Sequence, residues 1–229
     1  MNTRSHLNWY SAIALILSLL SASACRSVPK GGAPEASAVE SASMIDAGMI
    51  AKDTTLEHAT FAMGCFWHTE EMFCELRGVT SSLPGYCGGT EPSPSYDLVS
   101  SGRTRYAESV EVTFDPRVIS YEKLLEVFFR EHDPTTRDAQ GNDVGPQYRS
   151  VIFFHSASQR LKAEAMIARL NASTYHGRIT TELAPFTRFW RAEDYHLQYY
   201  RKHPNESYIA HVTRPEIERF RKDFPELLK

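Results

Sequence analysis

The hydrophobic pattern of the chain changes period at one dipeptide, and that change constrains the fold more than any other feature. Residues 60–63 (TFAM) form a short apolar run that reads as a buried strand, and Gly64 stops it. From Cys65 to Arg77 the spacing is helical, with Phe66, Phe73 and Leu76 on related faces and Glu70 and Glu71 early in the segment. A cysteine therefore stands where a buried strand turns into a helix.

The pattern continues in the same style. Residues 79–86 read as a second strand, which Gly85, Gly88 and Gly89 break into a loop. Residues 107–114 alternate, with Val110, Val112 and Phe114 on one face. Ser120 can cap a helix that runs to about His132, and residues 149–155 (RSVIFFH) read as another strand. A helix over about 158–170, a strand near 179–183 and a helix near 192–202 follow. The basic and aromatic tail beyond Arg201 reads as a solvated helix with its packing residues. The core order β-α-β-β-α-β is that of an α+β, ferredoxin-like split plait with additional helices.

Composition changes upstream. Of the 229 residues, 9–20 (WYSAIALILSLL) are largely apolar and lead into SASAC at Cys25. This is the layout of a signal peptide over 1–24, with an apolar run short for a transmembrane helix. Either Ala22-Ser23-Ala24 serves as an ordinary cleavage site, or Cys25 is lipidated as in a bacterial lipobox; the cysteine's position and the tether that follows favour lipidation. Both routes lead out of the cytoplasm, to the bacterial cell envelope or beyond. Residues 25–55 are rich in Ala, Ser, Gly, Pro and Glu and read as a flexible tether, leaving 56–229 as the folded domain. A formal charge of -3 offers no electrostatic footprint for nucleic acid. The nine histidines and four cysteines form no metal-ligating cluster, so no metal and no cofactor is expected.

The chemistry centres on Gly64-Cys65-Phe66-Trp67. A thiol at a helix N-terminus meets free N–H groups and the positive end of the dipole, which favour the thiolate. Two aromatics directly after it make a nucleophile beside an apolar pocket, although a buried inert cysteine fits the same position. Glu108 shares strand parity with Val110, Val112 and Phe114, so its carboxyl points inward, where desolvation can keep it protonated as a general acid. A rim residue in water is the alternative.

These residues belong to a longer ordered set: Glu70 and Phe73, Gly85-Tyr86 with Gly88-Gly89, Pro94-Ser95-Tyr96, Ala107-Glu108, His132-Asp133-Pro134-Thr135, Gln140-Gly141-Asn142-Asp143 and Gln147-Tyr148-Arg149-Ser150. Over about residues 61–203 the chain closely resembles the peptide methionine sulfoxide reductase A family. The resemblance implies reduction of methionine S-sulfoxide in oxidised proteins, in peptides and as the free amino acid, with thioredoxin as final reductant. It implies Cys65 as nucleophile and Glu108 as proton donor. Tyr96 and Tyr148 would hydrogen-bond the sulfoxide oxygen, Asp143 would help order the site, and Phe66 and Trp67 would hold the substrate methyl group. Cys65 is then left as a sulfenic acid, which another thiol must reduce. A monomer is expected.

The chain departs from the family at His68, where Gly is common, at Arg105-Tyr106, and in a C-terminal segment without cysteine. Cys74 lies nine residues beyond Cys65, roughly 13.5 Å along a helix, too far for a disulfide, whose Cα atoms must lie within about 7 Å. That leaves Cys87, expected in a glycine-rich loop near the site, to form a Cys65–Cys87 disulfide; direct reduction by an external thiol is the rival route. Two other function classes compete. A cysteine acyl hydrolase would need a histidine base, and a non-catalytic binder of oxidised methionine would need no nucleophile.

Overall fold

The computed structural model describes residues 55–229; the expected signal peptide, Cys25 and the tether lie outside the described residues. β1 (Glu57–Met63), α1 (Phe66–Cys74), β2 (Val79–Cys87), the short α2 (Tyr96–Ser100), β3 (Ala107–Phe114) and α3 (Tyr121–Glu131) open the domain. A two-stranded ribbon follows, β4 (Ala139–Gln140) and β5 (Asp143–Val144), and then β6 (Ser150–Phe154) and α4 (Ala157–Leu170). β7 (Glu182–Pro185), β8 (Trp190–Arg191), α5 (Tyr199–Lys202) and α6 (Arg214–Asp223) complete it.

The main sheet has the order β7-β6-β1-β3-β2-β8. Its four central strands, β6-β1-β3-β2, pair antiparallel and form the split plait. β1 and β3 share the centre of the sheet, and β3 is buried along most of its length. On the helix face, Phe61 stacks on Phe73 of α1 at 5.2 Å and meets Phe128 of α3 at 5.4 Å. All three rings are fully buried, and truncating one to Ala would cost about 3–5 kcal/mol. The opposite face carries a smaller cluster of Ala62, Cys87, Ala107, Val151 and Phe153.

α3 begins where the sequence predicts it, with Ser120 accepting a hydrogen bond from the Lys123 N–H at 3.2 Å. Three segments differ from expectation. β2 does not break at Gly85 but continues to Cys87 along β3, through Gly85↔Ser109, Tyr86↔Glu108 and Cys87↔Ala107, and β8 pairs on its other side through Gly85↔Arg191 and Tyr86↔Trp190. Only glycine fits there: a Cβ at Gly85 would lie 2.3 Å from the Trp190 carbonyl oxygen. The strand expected near 179–183 lies later, as β7, parallel to β6. The helix expected over 192–202 is interrupted by a 3₁₀ turn (Asp194–His196) and by Gln198, whose φ of 55° is left-handed. The Gln198 N–H donates to both carboxylate oxygens of Glu70 in α1, at 3.0 and 2.9 Å, a tertiary anchor that replaces the helical bond.

The C-terminal segment is docked. Ile217 and Phe220 of α6 are fully buried, Arg221 pairs with Glu75, and Leu228 bridges to Leu76. Together these seat the tail against the end of the nucleophile helix.

Candidate active site

Gly64, with φ of +100°, makes the turn from β1 into α1 and leaves Cys65 as the residue that caps the helix. The Cys65 carbonyl accepts from the N–H and the hydroxyl of Thr69, which starts the helix and fixes the cysteine's orientation. Glu108 comes from β3, paired with Tyr86 of β2, and both side chains face the helices. Its carboxyl is buried and accepts a hydrogen bond from the Phe66 N–H at 3.1 Å. Burial pushes its pKa up to about 8, the Asp143 charge adds to this, and the Phe66 N–H only partly opposes it. At neutral pH Glu108 is therefore mainly a carboxylic acid, able to give a proton.

The thiol behaves differently from the sequence expectation. Cys65 is half-buried, and protein atoms crowd its thiol. Burial, followed by the charges of Glu108 and Asp143, holds the thiol well above its usual range. The Trp67 N–H and the Tyr208 hydroxyl favour the thiolate but do not prevail. The resting nucleophile is a neutral thiol, because desolvation outweighs the helix terminus. Protonation of Glu108 removes one of the opposing charges, so acid and nucleophile are linked.

Around these two groups lies a cavity of about 290 Å³ lined by Phe66, Trp67, Tyr96 and Tyr148 as well as Cys65 and Glu108. Tyr96 enters at the start of α2 and Tyr148 from a 3₁₀ turn (Pro146–Tyr148) before β6. Burial first, and then the Glu108 charge, raises both phenols, Tyr96 to about 12, so each remains a hydrogen-bond donor. Phe66 is fully buried, and Trp67 stacks flat on Tyr199 at 3.9 Å between ring centres. Asp143, on β5, also lines the cavity, and its carboxylate accepts from the Tyr208 hydroxyl at 2.5 Å. Every substrate-site residue expected from the sequence thus borders one cavity.

Several partners escaped the sequence reading. Tyr208 arrives from the C-terminal tail, 65 residues from Asp143. The Trp67 indole N–H donates to His196 Nδ1 at 3.0 Å, and burial lowers that histidine to about 4, so the ring is a neutral acceptor. Glu193 accepts from the Tyr86 hydroxyl at 2.9 Å and from the Tyr96 N–H at 2.8 Å. Nothing local signals these roles, since the contacts close over 65 to 129 residues.

Cys87 stands elsewhere than expected. It is the last residue of β2, not a loop residue, and it pairs with Ala107, on the sheet face opposite Glu108. It is fully buried, its S–H donates to the Arg188 carbonyl at 3.3 Å, and burial pushes the thiol up to about 12. β3 separates β2 from β1, so the two strands are two spacings, roughly 10 Å, apart. Cys74 ends α1, half-buried, with the Lys229 amine on its carbonyl. The three described cysteines are free. Arg105 and Tyr106 do not touch the cavity: Tyr106 packs on Gly89 and donates to the Glu91 carbonyl. Among the described residues, no three His, Cys, Asp or Glu side chains converge as metal ligands.

A thiol, a protonated carboxyl and two phenols around one aromatic-walled cavity define a thiol oxidoreductase site, suited to taking oxygen from an electrophilic centre. The family model for peptide methionine sulfoxide reductase matches residues 57–228. The chain is 49% identical over 171 residues to the peptide methionine sulfoxide reductase MsrA of Sulfolobus acidocaldarius, covering 75% of this chain and 97% of that one. Methionine sulfoxide reductase A of Corynebacterium diphtheriae has a similar structure, with a TM-score of 0.62 and 36% identity over 65% of this chain and 76% of its own. Reduced Mxr1 from Saccharomyces cerevisiae gives the same score and identity over 66% and 87%. The chain belongs to the peptide methionine sulfoxide reductase family.

Proposed function

We infer that the chain is a peptide-methionine (S)-S-oxide reductase that acts on oxidised proteins, on peptides and on free methionine S-sulfoxide. The observation that carries this is a single cavity holding both Cys65 and a Glu108 carboxyl with a pKa of about 8. The substrate methyl group packs against Phe66 and Trp67, and the sulfoxide oxygen accepts hydrogen bonds from Glu108, Tyr96 and Tyr148. Cys65 sulfur attacks the sulfoxide sulfur while Glu108 protonates the oxygen. In the resulting adduct the oxygen passes from the substrate sulfur to Cys65 sulfur as the new S–S bond breaks, so methionine leaves and Cys65 holds a sulfenic acid. Asp143 and Tyr208 orient the thiol by their mutual hydrogen bond at its side.

Regeneration needs a further thiol. The buried position of Cys87 on the far face of the sheet favours a thiol from outside the chain, with thioredoxin or a thioredoxin-like dithiol as final reductant. In this reading the enzyme works as an exported monomer, tethered to the envelope by lipid on Cys25; Cys25→Ala should then move it from the membrane to the soluble fraction.

The test is to incubate the full chain with each methionine sulfoxide epimer and dithiothreitol. Methionine should form from the S epimer alone and not at all in Cys65→Ser. Equal turnover of both epimers, or activity in Cys65→Ser, would overturn the assignment.

A further inference from the structure

Cys65 borders a second, larger cavity of about 590 Å³, which shares only Cys65, Asp143 and Tyr208 with the sulfoxide pocket. The Asp143–Tyr208 hydrogen bond thus stands between two ways of approach to one sulfur. The second cavity lies between the loop after α3, the β4–β5 ribbon and α6. It is of a size that takes small ligands rather than a few waters.

Its lining is built and charged. His68 is buried, with no hydrogen-bond partner on Nε2 and the Glu216 carboxylate 3.9 Å from Nδ1. Glu131 is buried with neither carboxylate oxygen hydrogen-bonded; its closest cation is Arg219 at 3.6 Å. Both unpaired groups are sealed from solvent and shape the wall from within, whereas Glu216, with a side chain 35% exposed, is an acid that an occupant can meet. At the outer edge, Arg130, Arg178 and Arg219 are exposed, as is Asp133, and Arg130 pairs with Asp223 at 3.6 Å. Arginines beside the accessible carboxylates of Asp133 and Glu216 form a lining complementary to a zwitterion. Burial, with Arg219 second, lowers His68 to about 3, so its ring is neutral.

The chemistry of the sulfenic acid points the same way. A thiolate displaces oxygen from sulfur in line, entering opposite the S–O bond. That bond is left directed at Glu108, Tyr96 and Tyr148, so the entering thiol needs an approach outside the sulfoxide pocket. The second cavity supplies one.

Resting on the sulfenic-acid reading above, we propose that the cavity lined by His68, Glu131, Glu216 and the three rim arginines is the docking site of the reducing thiol, a small thiol carrying carboxylate and ammonium groups. Its thiolate attacks Cys65 sulfur, the S–O bond breaks, and the oxygen leaves with a proton as water. Cys65 is reduced and the small thiol oxidised to a mixed disulfide. A thiol of the thioredoxin-like reductant then attacks the sulfur of the small molecule, releasing Cys65 as a thiol, and its second thiol closes the reductant's own disulfide and frees the small thiol.

The test uses glutathione, with two carboxylates and one ammonium, against uncharged 2-mercaptoethanol. Full-length enzyme is taken through one turnover with methionine S-sulfoxide, methionine release is recorded, and each thiol is then added while adduct formation on Cys65 is followed by intact mass. In Arg178→Glu the ratio of glutathione to 2-mercaptoethanol rates should fall about tenfold, as expected from lost steering. Val212→Trp, which fills the cavity from the tail, should slow both thiols, and neither variant should alter methionine release. An unchanged ratio in Arg178→Glu, or unchanged rates with both thiols in Val212→Trp, would overturn the docking site. Absence of methionine release from wild type would instead overturn the reductase reading.

Discussion

Cys65 and Cys87 are two thiols at opposite faces of one sheet, and their surroundings differ in a way that separates a nucleophile from a packing residue. Burial raises both, so a low resting pKa does not distinguish them. What distinguishes them is access and company. Cys65 opens on two cavities and faces a carboxyl that is itself protonated near neutrality. Cys87 opens on neither, and its hydrogen-bond partner is the Arg188 carbonyl. The comparison teaches that this site makes its thiolate on demand, when the sulfoxide oxygen takes up a proton, rather than storing it at the helix terminus.

The sharpest way to break the comparison is to exchange the two thiols' fates. Cys65→Ser should abolish release of methionine, whereas Cys87→Ser should leave both release and regeneration by thioredoxin intact. Loss of thioredoxin-driven turnover in Cys87→Ser, with single-turnover release preserved, would restore the Cys65–Cys87 disulfide. Next in size, Glu108→Gln should slow the sulfoxide-reduction step by about 10²–10⁴-fold, the usual worth of a general acid, in rapid-quench measurements. The same substitution tests the electrostatics through stability. A carboxyl raised from its unfolded value to about 8 stabilises the fold fully below the unfolded value, and that contribution is lost as pH rises through 8. Glu108→Gln should therefore raise the thermal midpoint relative to wild type more at pH 9 than at pH 5.

Smaller effects should come from the groups that hold the aromatic wall. His196→Phe removes the acceptor of the Trp67 indole N–H and should cost about 1 kcal/mol of substrate binding, read as a raised KM with kcat little changed. Arg221→Ala, which unpins the tail from Glu75, should cost at most about 1 kcal/mol in urea unfolding, because that pair is partly exposed.

The parts of this account legible in the sequence are those written in short periods. The stop at Gly64 and the helical spacing after it fix Cys65 at a strand-to-helix turn, and the alternation of β3 turns Glu108 inward beside Val110. Tyr96, Asp143 and Tyr148 have no local signal of that kind; only their ordered spacing in the family resemblance marks them. Long-range contacts carry no signal at all. Pairing with Ala107 of β3 keeps Cys87 in a strand, and the Glu70 anchor at Gln198 breaks the helix expected there. Tyr208 reaches Asp143 from a tail whose aromatic residues read as packing.

The central claim is that Cys65 attacks while a protonated Glu108 delivers the proton. The most direct measurement is the single-turnover rate of methionine release from methionine S-sulfoxide between pH 6 and pH 10, in wild type and in Glu108→Gln. The account predicts a wild-type rate that falls as pH rises through about 8, and a slow Glu108→Gln rate without that fall. A wild-type decline that persists unchanged in Glu108→Gln would contradict it.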